Sequence, residues 1–367
     1  MSFRPRPDCR YNRRVTKARL LALIAVWLLA LTAWPSSAES QRRPLVAVVG
    51  DNYGTEITDF VIPYGVLSAS GAADVVDVAL HEGPLHLMPP TLTLAPKETI
   101  ASFDTHHPEG ASYVIVPAVH HSDDPDLQGW IRAQADRGAT IVGICDGVWV
   151  VAGAGLLENR SATGHWYSMS SLAKKYPTTH WVRDRRWVRD GKVITTTGVT
   201  ASLPASLALV EEIAGRERAV ALAHELGVPS WDASHDSAHF QLDRGHVETA
   251  AANWLAFWRW ERVGVPIAPG VDEIGLAFTA DALSRTYRSS ATVVATGAGP
   301  ISTKRGLTIV PDPVPATVDR VAAIPRGDEG PACALDGTLA TIADLYGPAT
   351  ASFVALQLEY PWDTPAP

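Results

Sequence analysis

Chemistry is concentrated in residues 140–157, TIVGICDGVWVVAGAGLL, where Cys145 stands between Gly143 and Gly147. A β-run that ends at a cysteine and passes at once into helix-compatible residues is a G-x-C-x-G turn, the thiol counterpart of the G-x-S-x-G elbow. Gly143 and Gly147 suit it because so sharp a turn leaves no room for Cβ atoms beside a nucleophile. The sulfur would then stand at the carboxyl edge of a sheet, next to the unsatisfied N–H groups of a helix start, whose positive potential favours thiolate. The alternative for the same residues is a core cysteine, since unpaired Cys is often fully buried. Two further polar candidates flank the turn: Asp59, upstream in TDFVIP, and His165, downstream in ATGHW.

Positioning these residues needs a sheet, and the hydrophobic pattern supplies one. Short apolar runs at 45–50 (LVAVVG), 74–80, 113–117 (YVIVP), 140–144 and 193–196 read as buried strands. Helical spacing falls between them at 57–70 and 126–137, and after the last at 201–213. This alternation predicts an α/β fold, a doubly wound, mostly parallel sheet with helices on both faces. Beyond Gly215 the pattern turns helical over 217–226 and 248–263, and Trp254, Phe257, Trp258 and Glu261 would share one face of the second helix. Such a stripe predicts core or subunit packing rather than a ligand site.

Residues 263–360 carry a weak internal echo, with strands at 263–266, 292–296 and 318–325 and a helix at 274–287. They read as a C-terminal α/β extension and a candidate degenerate half-repeat that lacks the cysteine turn, structural or dimer-like rather than active. The predicted organisation is therefore a leader at 1–38, an α/β domain at 44–215, a helical segment at 216–262, the extension at 263–360 and a tail at 361–367.

Of the 367 residues, 46% are hydrophobic and 19% charged, which excludes disorder, collagen-like repeats and coiled coil. Residues 1–19 hold seven of the 31 basic side chains against one acid, so the remainder has 24 basic and 38 acidic residues. A body of that charge repels phosphate backbones, and nucleic acid is not an expected partner. The basic stretch leads into an apolar run at 20–34 and then Ser36 and Ala38. Fifteen helical residues cover about 22 Å, short of the roughly 30 Å of a hydrocarbon core. An export signal cleaved after Ala38 is expected, with a periplasmic or extracellular product; an uncleaved membrane anchor at 20–34 is the rival. Cleavage leaves Cys145 and Cys333, which an oxidising compartment could join.

In these segments the chain resembles the ThiJ/PfpI family of the class I glutamine-amidotransferase-like superfamily, above all the amidase-like sensor domain of AraC-type regulators. The resemblance runs from about residue 44 to 242. It rests on LVAVVG, on Asp59 before VIPYGVL, and on YVIVPA, GICDG, SATGHW and DGKVITTTGVTASLPASLALVEE. It implies a flavodoxin-like fold, makes Cys145 the reactive residue, sets Asp59 against its thiol and maps the family histidine to His165 as a proton relay. The backbone N–H groups of Asp146 and Ala118 would be oxyanion donors by the same analogy. An active thiol forbids a Cys145–Cys333 bridge. The plainer roles are a helix N-cap for Asp59 and a structural histidine for His165.

Two departures stand out. Asp146 follows the cysteine where relatives usually carry a hydroxyl or small residue, and its carboxylate would raise the thiol pKa. Residues 250–367 hold eight Lys/Arg and no basic recognition helix, so the regulators' DNA-binding module is not expected. Of the adjacent pairs His106–His107 and His120–His121, the second follows YVIVPA and is a candidate substrate contact. Neighbouring side chains on an extended segment point apart, so neither pair suits a shared metal, and no metal or cofactor is expected. Two functions compete: an exported thiol hydrolase or hydratase for a small electrophile, and a non-catalytic ligand-binding or redox-sensing module. Either is compatible with a homodimer.

Overall fold

The computed structural model describes residues 43–362 except 296, 298, 312–316 and 326–329; the leader at 1–38 lies outside them. Continuous apolar runs form the parallel strands β1 (Leu45–Gly50), β3 (Asp74–Ala79), β7 (Tyr113–Val116) and β8 (Thr140–Gly143). Between β1 and β3 come the short β2 (Thr55–Glu56) and α1 (Ile57–Ser70). After β3 follow β4 (Leu85–Met88), β5 (Thr93–Leu94), β6 (Glu98–Thr99) and α2 (Ile100–His106). Helices α3 (Pro125–Asp136) and α4 (Val148–Gly153) flank β8, and a hairpin of β9 (Trp187–Asp190) and β10 (Val193–Thr196) completes a seven-stranded sheet, β9-β10-β8-β7-β1-β3-β6. All its pairs are parallel except β9–β10. Alternation along β1 feeds two cores: Val46 and Val48 face one, Ala47 and Val49 the other.

The chain continues through α5 (Ser202–Ala214), α6 (Arg216–Leu226) and α7 (Arg244–Leu255) into β11 (Glu261–Ile267), α8 (Glu273–Ser284) and β12 (Ser289–Ala295). A hairpin of β13 (Ile301–Ser302) and β14 (Thr308–Ile309) follows, then β15 (Arg320–Val321), α9 (Ala334–Tyr346) and α10 (Pro348–Gln357). Strands β12, β11 and β15 form a second parallel sheet. A third, β13-β14-β5-β4-β2, draws strands from both halves of the chain. Helix α1 is buried on nearly every side because it lies between α5 of its own half and α8 of the other.

Three expectations fail in the structure. The helix expected over 248–263 ends at Leu255, because Ala256 leaves helical geometry (φ −81°, ψ 42°), and the chain re-forms as the strand that buries Val263, Val265 and Ile267. Its aromatic stripe is not core: Trp254, Phe257 and Trp258 are 60%, 67% and 71% exposed. The strand expected over 318–325 shrinks to the two residues of β15. Among the described residues, no helix is long and apolar enough to cross a membrane.

Candidate active site

Cys145 comes one residue after the end of β8, past Ile144, and opens a single 3-10 turn, Cys145–Gly147, that runs into α4. Its φ of 55° puts a non-glycine residue in the left-handed region, a strain on the order of 1–2 kcal/mol. The turn survives because its surroundings leave no alternative. A Cβ on Gly147 would stand 2.0 Å from the Val116 carbonyl oxygen, and one on Gly143 would stand 3.0 Å from Val151 Cγ2. Thr196 Oγ1, on β10, receives the Cys145 N–H at 3.1 Å, pinning the elbow to the neighbouring strand. No disulfide joins Cys145 to Cys333.

The sulfur is nearly enclosed, 5% exposed, and faces a cavity of about 320 Å³ whose wall includes Glu56, Ala118, Asp146, His165, Arg285 and Gln357. Asp59 lies behind that wall, fully buried in the first turn of α1. It is not the N-cap of that helix: Glu56 caps it, accepting the Asp59 N–H on Oε2 at 2.6 Å. Asp59 Oδ2 accepts the Ala118 N–H at 3.1 Å, while Oδ1 is buried with no partner. Burial first, then the Glu56 carboxylate, push the Asp59 carboxyl well above its ordinary range, with the Ala118 amide and Arg285 pulling back. Burial first, then Asp59, Asp146 and Glu56, likewise push the Cys145 thiol up, and the Asp146 amide opposes them by donating to the sulfur. The Asp59 charge is among the causes that raise the thiol, so ionising both groups at once is opposed.

The expected residues meet only in part. Cys145, Asp59 and Asp146 come together. Ala118 does not supply a free oxyanion donor, because its N–H is spent on Asp59. His165 lines the cavity, but its Nδ1 accepts the Tyr167 N–H at 3.3 Å and its Nε2 donates to the Gln357 carbonyl at 3.2 Å, an arrangement that fixes the ring rather than freeing it to carry protons. His120 and His121 do not line the cavity. The bridge from Val119 to Thr55 and the His120 N–H to the Gly54 carbonyl draw that segment towards β2, and His121 Nδ1 pairs with Asp51 at 2.9 Å. Among the described residues no cluster suited to a metal occurs.

Four residues absent from the sequence reading complete the surroundings. Arg285 bonds Glu56 Oε1 through Nη2 at 2.8 Å and Asp281 Oδ1 through Nε at 2.7 Å. Burial pulls its pKa down, but the carboxylates of Asp281 and Glu56 more than offset that and hold the guanidinium above its ordinary value. Glu359, just past α10, accepts the Gly198 N–H and pairs with His235 Nε2 at 2.8 Å, closing the far side of the elbow. Glu56 was within reach of sequence reasoning, as the acid opening the same helix; Arg285, Gln357 and Glu359 lie too far along the chain for any local signal.

Asp146 supplies the first test. Its Oδ1 is buried without a partner and its charge raises the thiol. In Asp146→Asn the midpoint of iodoacetamide labelling of Cys145, followed by mass spectrometry of its peptide, should fall by about half a pH unit to one unit. An unchanged midpoint would remove Asp146 from the electrostatics of the thiol.

Known proteins place the site in context. The DJ-1/PfpI family profile matches residues 46–212. The isonitrile hydratase of Pseudomonas putida is 31% identical over 170 residues, 44% of this chain and 68% of that protein. The transcriptional regulator CdhR of Pseudomonas aeruginosa is 36% identical over 101 residues, 28% of this chain, which spans only 30% of the regulator's length. The crystal structure of Drosophila melanogaster DJ-1beta covers 49% of this chain and 95% of its own at 22% identity and a TM-score of 0.44.

Proposed function

From the premise that the chain belongs to the DJ-1/PfpI family, we propose that it is a cysteine-dependent hydratase or hydrolase of a small electrophile. The observation that carries this reading is the buried, strained Cys145 facing a cavity of about 320 Å³, within electrostatic reach of the buried Asp59 carboxyl, whose Oδ1 has no partner. The Cys145 sulfur bonds to the electrophilic carbon, and the proton held by Asp59 goes to the substrate atom that gains charge. On an isonitrile, the class named for one relative, both changes fall on the terminal carbon and give a thioimidate. Water then adds to that carbon and the thiol leaves, so a formamide is released and the enzyme is regenerated.

The alternative, a binding or redox-sensing module, draws on the regulator relatives. Oxidation sensors carry exposed thiols, whereas Cys145 is 5% exposed. Export forms part of the proposal, on the basic, apolar, small-residue order of residues 1–38. The test is a substrate screen of isonitriles, nitriles, small amides and α-oxoaldehydes with the wild type and Cys145→Ser. One class is expected to turn over, with the variant slower by at least about a thousandfold. A wild type that labels normally with iodoacetamide yet turns over none of these classes would shift the assignment to the binding module.

A further inference from the structure

The second half of the chain repeats a subset of the elements of the first in the same order. Glu56–Ile57 at the start of α1 corresponds to Glu273–Ile274 at the start of α8, and Val46 and Val48 on β1 to Val263 and Val265 on β11. Strand β1 lies between β3 and β7, and β11 between β12 and β15, all parallel. The helix pair α5–α6 recurs as α9–α10 without a gap: Leu207, Val210 and Ala219 fall opposite Leu339, Ile342 and Ala351, all buried. Gly215, joining the first pair, has φ 85° and ψ 162°; Gly347, joining the second, has φ 92° and ψ 156°. Even a minor detail repeats, since Ser206 Oγ bonds the Ser202 carbonyl and Thr338 Oγ1 the Ala334 carbonyl, both at 2.7 Å.

The halves meet as a two-fold axis would arrange them. Helix α1 packs on α8, and the second strands of the two hairpins, β5 and β14, pair antiparallel at Leu94 and Ile309. The second half has no site of its own: Leu276 stands where the first half has Asp59, and no strand and elbow separate β15 from α9 among the described residues. What it keeps are residues that reach into the first half. Arg285 ends α8 and Gln357 ends α10, and both line the Cys145 cavity. Glu359 takes the place of Gly227 and, although not glycine, keeps its positive φ, 53° against 77°.

We propose that residues 261–360 are a degenerate second copy retained as a built-in partner, and that Arg285, which this copy delivers to the cavity, is a positioning residue that makes the Cys145 thiolate attainable. The groups facing the sulfur are the carboxyls of Glu56, Asp59 and Asp146 and the ring of His165, with Asp281 behind Arg285. Among the described residues lining the cavity, Arg285 is the only Lys or Arg. Through Glu56 it also fixes the acid that caps α1 and holds the Asp59 amide.

This inference rests on Cys145 as the reacting group but not on any turnover, and its test needs no substrate. The full chain, as Arg285→Gln and Arg285→Lys, is labelled with iodoacetamide across pH, and the Cys145 peptide is followed by mass spectrometry beside a thermal melt. Loss of the cation in R285Q should move the labelling midpoint up by about one pH unit or more, while R285K, which keeps it, should stay within about half a unit of wild type. A purely structural arginine would lower the melting temperature in both variants and leave the midpoint where it was, overturning the proposal. If R285Q does not fold, Arg285→Met, a neutral side chain of similar length, takes its place: a midpoint raised by about one unit supports the proposal, and an unchanged one overturns it. A wild type in which Cys145 never labels would instead count against the reactive thiol itself.

Discussion

Asp59→Asn is expected to slow turnover near pH 7 by about 10²- to 10⁴-fold, the usual contribution of a positioned proton donor, while making the thiol easier to ionise. The two effects have opposite signs for one reason. Burial and Glu56 keep the Asp59 proton on the carboxyl to well above its ordinary range, so the native group acts as an acid below its folded pKa and stops acting as pH rises through it. Cys145, raised by burial and by the same carboxyl, reacts only as it loses its proton. The wild-type pH–rate profile should therefore be bell-shaped, with both limbs belonging to the pair. Asparagine gives up no proton and carries no charge. It removes the high-pH limb and lowers the midpoint of iodoacetamide labelling by about one unit, measured beside kcat across pH 5–10. Labelling and turnover falling together would mean that Asp59 activates the sulfur as a base instead, and the proton assignment would have to be reversed.

What the sequence could show of this arrangement follows the range of the interactions involved. The elbow is local: Gly143, Cys145 and Gly147 are close neighbours, and the clash that demands glycine comes from the strand beside them. Asp59 is legible through the resemblance, which sets the acid before VIPYGVL against the thiol; by itself it reads as a helix cap, a place Glu56 takes. His120 and His121 misled because reading them forward from β7 assumes that the strand end stays at the sheet edge, whereas its pairing with Thr55 bends it away. The aromatic run at 254–260 misled because helical spacing says nothing about where a helix stops, and the next segment gains more by burying Val263 and Val265 as a strand. Arg285 lies 229 residues from the carboxylate it bonds; only the fold makes them neighbours.

Gly147→Ala should be the most damaging single methyl in the protein. Its Cβ would lie 2.0 Å from the Val116 carbonyl oxygen and 2.8 Å from the Pro117 carbonyl carbon and oxygen, and these are backbone atoms of β7 and the residue that follows it. A side chain can rotate out of a clash, but β7 cannot retreat without breaking its pairs with β1 and β8. Overpacking that side chains absorb costs about 1–3 kcal/mol, so a clash with fixed backbone should cost on the order of 3 kcal/mol or more, at least about 4 °C in melting temperature. Two other glycines calibrate the measurement. Gly143→Ala meets the Val151 methyl at 3.0 Å, a movable neighbour, and should cost about 1 kcal/mol. Gly129 sits exposed within α3 with nothing near its Cβ position, so alanine there should raise stability by about 0.5–1 kcal/mol. The predicted order of melting temperatures is G129A above wild type, then G143A, then G147A. A G147A protein that melts with the wild type would show that β7 can yield, and with it the claim that this strand end holds Cys145 in its strained conformation would fail.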